Sequence, residues 1–131
     1  MSWDLFVQDY GDFESLEEIP DDFEPQSIGK RSEIIDKIKA VEPTVDFSNP
    51  SWGILVNGQF SIEFNMGDSE ESDGFVIHVR GNELAVPCIG NILNSLKLRA
   101  ADGSSPLFFD VEKSKRNLQK WIDYRDSILN R

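Results

Sequence analysis

Four residues carry most of the chemistry this sequence offers: Trp52, Glu63, His78 and Arg80. Their grouping follows from strand periodicity. Asn57-Gly58 is a strong two-residue hairpin signal, because both positions tolerate positive φ. Such a turn pairs Val56 with Gln59, Leu55 with Phe60, Ile54 with Ser61 and Trp52 with Glu63. Phe60, Ile62 and Phe64 then share a face with Leu55. The next strand, Phe75 to Arg80, must place Phe75, Ile77 and Val79 on that same apolar face, since a one-residue slip would expose all three. Val76, His78 and Arg80 therefore point the other way, with Ser61 and Glu63. Either allowed register leaves His78 beside Glu63, directly across or one diagonal away.

A glutamate beside a histidine is an acid–base pair, and an arginine next to it is an anion clamp. A tryptophan among charges fits a binding patch, because Trp and Arg are enriched at recognition hot spots. The plain alternative is a solvated sheet face with cross-strand ion pairs worth a few tenths of a kcal/mol each. Binding is preferred over catalysis, so Trp52, Glu63, His78 and Arg80 are candidate binding residues and no catalytic residue is assigned.

Other signatures are missing. The sequence has no phosphate-binding loop, dinucleotide fingerprint or Gly-x-Ser-x-Gly elbow, and no cofactor is expected. One histidine and one cysteine are too few for the usual zinc sites. Asp68 to Gly74 alternates oxygen ligands as calcium loops do. It lacks the sixth-position glycine and the terminal glutamate of an EF-hand, so a solvated acidic loop is expected and no metal site. Cys88 sits in the apolar run Ala85 to Ile89 and reads as a small buried hydrophobe.

The elements that must position these residues follow from hydrophobic spacing. Trp3 to Val7 reads as a strand. Residues 9–29 are acidic, hold Pro20, Pro25 and Gly29, and read as a mostly irregular loop pinned by Phe13, Leu16, Ile19, Phe23 and Ile28. Ile34, Ile35, Ile38 and Val41 mark a helix ended by Pro43. After the three strands comes a helix over about 84–96, with Pro87 in or near its first turn. Short strands near Leu98 and at Leu107-Phe108-Phe109 follow. A last helix, from about 110 to 129, has Leu118, Trp121, Ile122, Ile128 and Leu129 as its buried stripe. The order β-α-β-β-β-α-β-β-α predicts an α+β fold, with a mostly antiparallel sheet and helices packed on one face.

The 131 residues fit a single domain spanning 1–131, and 39% hydrophobic residues are enough to close a core. No apolar run reaches the roughly 18 residues of a membrane span, so no membrane partner is expected. The N-terminus carries no signal-peptide pattern, and a cytoplasmic location is expected. The formal charge is −11 and uneven: residues 1–29 hold nine acids and no lysine or arginine. Such a chain repels phosphate backbones, which argues against nucleic acid as a partner and allows a protein with a basic surface.

The stretches Met1 to Asp9, Ile19-Pro20-Asp21-Asp22-Phe23, Pro50-Ser51-Trp52-Gly53 and His78-Val79-Arg80-Gly81 together resemble a group of small acidic bacterial proteins of unknown function. The resemblance spans nearly the whole chain and implies a bacterial, single-domain protein. It supplies no catalytic residues. Size and acidity are also similar to those of bacterial immunity proteins. The expected function is non-catalytic binding, in the specific form of an immunity-type inhibitor of a basic partner. The alternatives are a small enzyme using Glu63, His78 and Arg80, or a purely scaffolding role. The oligomeric state is not legible.

Overall fold

The structure is a computed structural model describing residues 2–103, 108–110, 123–124 and 126–129. Six strands form one sheet: β1 (Trp3–Gln8), β3 (Asp46–Asn49), β4 (Trp52–Val56), β5 (Phe60–Asn65), β7 (Phe75–Gly81) and β8 (Arg99–Asp102). They pair antiparallel throughout, in the order β3-β4-β5-β7-β1-β8. A separate two-stranded ribbon joins β2 (Gly29–Lys30) to β6 (Glu71–Ser72). The described elements also include helices α1 (Arg31–Val41) and α2 (Ala85–Leu96), a short 3-10 turn at Leu16–Glu18 and helical residues within 123–129. The α+β architecture with an antiparallel sheet is the one the apolar spacing predicts.

The period of two along each strand divides the sheet into two faces. Trp3, Leu5, Val7, Leu55, Ile62, Phe64, Phe75, Ile77 and Val79 are buried on the inner face. There they meet Ile34, Ile35 and Ile38 of α1 and Ala85, Val86, Ile89, Ile92 and Leu93 of α2 in one core. Full burial of one such aliphatic or aromatic side chain contributes about 1.5–3 kcal/mol. Among the described residues, Trp3 is the largest side chain buried beyond 98%. Its indole Nε1 donates to Asp102 Oδ1 at 3.0 Å, which satisfies the one polar atom that burial would otherwise strand.

The acidic loop before β7 has a structural use. Its Glu70 carboxylate accepts the backbone N–H and the hydroxyl of Ser32, and its Glu70 carbonyl accepts the N–H of Arg31. A negative charge and two acceptors therefore meet the N-terminus of α1, which lacks a capping side chain of its own. Asp68 accepts from Ser51 Oγ and Glu71 from Ser27 Oγ, so neighbouring carboxylates of this loop also serve as local ties.

Three expectations need correction. The β4–β5 hairpin pairs Val56 with Ser61, Ile54 with Glu63 and Trp52 with Asn65, a register two residues away from a turn at Asn57-Gly58. The Asn57 side-chain oxygen accepts the N–H groups of both Gln59 and Phe60, and Asn57 N–H donates to Phe60 O. This side-chain-closed turn needs no positive φ at Asn57 or Gly58. A shift of two preserves every side chain's face, so the division of the sheet survives. Second, strand β3 was not foreseen, since Phe47 is the one apolar residue within it. Third, Ile128 and Leu129 lie in helical turns but are 36% and 73% exposed, not part of a buried stripe. Spacing shows which face of a helix could bury, not what covers it. Leu118, Trp121 and Ile122 lie outside the described residues, as does Leu107, while Phe108 bridges Ala101.

At Gly81 the backbone adopts φ of +111°, and an added Cβ would stand 2.5 Å from Phe60 Cα. Gly81→Ala is therefore expected to lower unfolding stability by about 1–3 kcal/mol or more, from strain and close approach together. Chemical denaturation checks this, and an unchanged midpoint and slope would show that the end of β7 is not held as described.

Candidate functional site on the outer sheet face

The outer face is built by the residues that alternate with the core. From β4 to β1 one row runs Ile54, Glu63, His78 and Asp4. The next runs Trp52, Asn65, Val76, Phe6 and Ala101. Glu63 is directly opposite His78, and Arg80 directly opposite Ser61. The structure thus brings Trp52, Glu63, His78 and Arg80 onto one face, across three strands.

Their bonding differs from the simplest expectation. His78 Nδ1 meets Asp4 Oδ1 at 2.7 Å, while Glu63 Oε1 accepts from Arg80 Nη1 at 2.9 Å. The ring of Trp52 reaches over β5 to stack on His78, with centroids 5.6 Å apart and planes 20° from parallel. The side chain of His78 is 21% exposed and that of Glu63 27%, so both are shielded by their neighbours. Asp4 is held below its ordinary 3.8: burial raises its pKa, but the Ser2 hydroxyl, the His78 hydrogen bond and the charges of His78 and Arg80 outweigh it.

Asp4 is the member of this cluster that sequence reasoning missed. The alternation of Trp3, Leu5 and Val7 with Asp4, Phe6 and Gln8 already sets Asp4 on the outward side of β1. Nothing in a single sequence says that β1 lies beside β7, and that adjacency is what makes Asp4 the partner of His78.

Chemically, the face presents a histidine fixed by a carboxylate below an aromatic lid, next to a closed Glu–Arg pair. The Glu63 carboxylate is engaged by Arg80, so a Glu63–His78 acid–base pair is not formed in this arrangement. Phe6 and Ile54, each 42% exposed, and Val56, at 69%, add apolar surface around the charges. A hollow of about 250 Å³ opens beside them, lined in part by Phe6, Asn65 and Val76. Among the described residues, no group of three or more His, Cys, Asp or Glu side chains could hold a metal ion.

Cys88 lies apart from this face, buried on α2, with Sγ donating to Glu42 Oε1 at 3.3 Å. Burial pushes its thiol up to about 12, and the hydrogen bond and negative charge of Glu42 add to the shift. The nucleophilic thiolate is therefore suppressed near neutral pH. Iodoacetamide is expected to alkylate Cys88 at least tenfold more slowly in the folded protein than in denaturant. Equal rates, followed by mass spectrometry, would contradict this burial.

Asp4 also sets a pH dependence. Its folded pKa lies below its unfolded value, so the stability it adds is present above 3.8 and is lost as pH falls through the depressed folded value. The wild type should exceed Asp4→Asn in stability at neutral pH, with the gap closing in the acid range below 3.8. Urea titrations of both proteins across that range test this, and a gap independent of pH would contradict it.

Comparison of the chain with protein-family models, curated proteins and solved structures finds no match, so its function is argued from the geometry of this face.

Proposed function

We propose that this chain is a non-catalytic binding protein that recognises its partner through the outer sheet face around Trp52, Glu63, His78 and Arg80. The observation that carries the reading is the Trp52–His78 stack. A large, half-buried aromatic side chain is held in place on the outer sheet face, with Phe6, Ile54 and Val56 exposed around it. A pre-positioned aromatic loses little rotamer freedom on binding, and exposed apolar patches rimmed by polar groups mark interaction sites. The nearby carboxylates are each hydrogen-bonded, Asp4 to His78 and Glu63 to Arg80, so a partner can cover them without stranding an unpartnered carboxylate.

The partner's chemistry is suggested by what borders this face. Residues 10–23 fold over its β8 end, where Tyr10 and Phe108 pack on Ala101 with Phe13, Leu16, Ile19 and Phe23 around them. That segment belongs to the stretch of nine acids without a base. An apolar centre beside an acidic border complements a protein with a basic surface, and like charge repels nucleic acid. An inhibitor of a basic toxin, in the manner of an immunity protein, is the specific form we propose. In the rival reading of a small enzyme, the carboxylate needed beside His78 would come from Asp4 rather than Glu63.

The test is affinity capture from the source cells with the wild type, Trp52→Ala, Arg80→Ala and a variant neutralised at Glu17, Glu18, Asp21 and Asp22. Trp52→Ala is expected to weaken retention of the partner by roughly thirtyfold, about 2 kcal/mol, as for hot-spot truncations. Arg80→Ala should weaken it in the same direction. The neutralised variant should bind more slowly, and the wild type less well as salt rises. A partner held equally by folded Trp52→Ala protein and in high salt would overturn the reading.

A further inference from the structure

A second surface feature lies in the acidic segment itself. Residues 9–26 enclose an open hollow of about 530 Å³, within the size range of small-molecule and side-chain pockets. Its walls are the rings of Tyr10, Phe13 and Phe23, and its polar groups include the carboxylates of Asp9, Asp12 and Glu18. Among the described residues, no lysine or arginine lines it. Tyr10 and Phe23 lie nearly parallel, 15° apart with centroids separated by 6.4 Å, and Phe13 stands edge-on to Phe23 at 84°.

Aromatic faces carry negative quadrupole charge, and carboxylates add full negative charge, so both features select a cation. The apolar walls suit the methylene stem of a long basic side chain. The molecule already uses this chemistry next door. The guanidinium of Arg99 stands 3.6 Å from the centroid of Phe108, in the same aromatic cluster, and donates to the carbonyl oxygens of Gly11 and Phe13. That internal arginine fixes the rear of the loop. Tyr10 fixes its base, being 6% exposed, with its hydroxyl donating to Phe6 O at 3.1 Å. The hollow is therefore formed before anything enters it. Asp9 and Glu18 are oriented too: each spends one oxygen on a nearby backbone N–H, of Gly11 and Glu14 respectively.

We infer that this hollow is a receptor for an arginine side chain projected by a basic protein partner. The inference rests on the basic-partner reading above for where that arginine comes from. A planar guanidinium stacks on aromatic faces and engages carboxylates through two parallel N–H groups, which an ammonium does not. Arginine is thus preferred over lysine, as Arg99 on Phe108 illustrates.

The test uses the full chain, labelled with nitrogen-15, and titrates it with N-acetyl-arginine amide, its neutral citrulline counterpart and N-acetyl-lysine amide. Amide shifts at Gly11, Asp12 and Phe13 are expected with the arginine probe at millimolar concentration, and not with citrulline. The lysine probe should bind at least threefold more weakly. The double variant Asp12→Asn, Glu18→Gln should raise the arginine dissociation constant at least tenfold while leaving the shifts of β5 and β7 in place. Equal responses to arginine and citrulline, or shifts confined to the outer sheet face, overturn the proposal. A lysine response as strong as arginine's overturns the choice of arginine. Because the probes act without the partner, failure here leaves the sheet-face reading standing. Conversely, arginine binding that persists alongside a partner insensitive to Trp52→Ala retains the hollow and removes the sheet-face reading.

Discussion

The antiparallel pairing of β1 with β7 is the interaction on which the rest of the structure depends. It runs from Trp3 opposite Val79 to Val7 opposite Phe75 and seats the first strand of the chain inside the sheet. From there Trp3 reaches Asp102 on β8, while Leu5 and Val7 close the core under the helices. The same register delivers Asp4 to His78 on the opposite side. One set of backbone hydrogen bonds therefore fixes the core and the candidate site together, because successive residues of a strand serve opposite faces. The chain leaving β1 is then set down at the β8 end of the sheet, where Tyr10 anchors the acidic segment.

Negative charge in this protein is sorted by use. Glu70 serves the N-terminus of α1, where the helix dipole favours it, and Ser32 holds its carboxyl below the usual value. Asp102 is buried against an indole donor, and Asp4 orients an imidazole. The acids of residues 9–24 surround an aromatic cluster at the surface, and an internal arginine ties their loop to β8. Excess acid alone serves solubility. Acid gathered around ordered aromatic rings is what suggests recognition of a cation.

Much of this was legible in the sequence. The spacing of Ile34, Ile35 and Ile38 and of Cys88, Ile89, Ile92 and Leu93 located α1 and α2. Alternation in Phe60 to Phe64 and Phe75 to Arg80 assigned the two faces and set Glu63 beside His78, directly across or one diagonal away; the structure places them directly opposite. The hairpin register was misjudged because Asn57 closes the turn with its side chain rather than with positive φ, yet parity protected the face assignment. The Asp4–His78 contact was not legible, since the two residues are 74 positions apart and their meeting depends on strand order. Local periodicity carries no information about which strands become neighbours. The short strand β3 was missed for a related reason. Phe47 packs over Gly53 against Phe64, a tertiary contact that leaves little alternating pattern behind.

His78 is the only histidine in the chain, so its imidazole nitrogens report on the β1–β7 pairing without interference. A long-range proton–nitrogen NMR spectrum of the neutral ring tests the account most directly. The structure predicts that Nδ1 carries the proton and donates it to Asp4, and that Asp4→Asn shifts the population toward the tautomer protonated at Nε2. A ring protonated mainly at Nε2 in the wild type, and unaltered by Asp4→Asn, would contradict the register from which the candidate site is built.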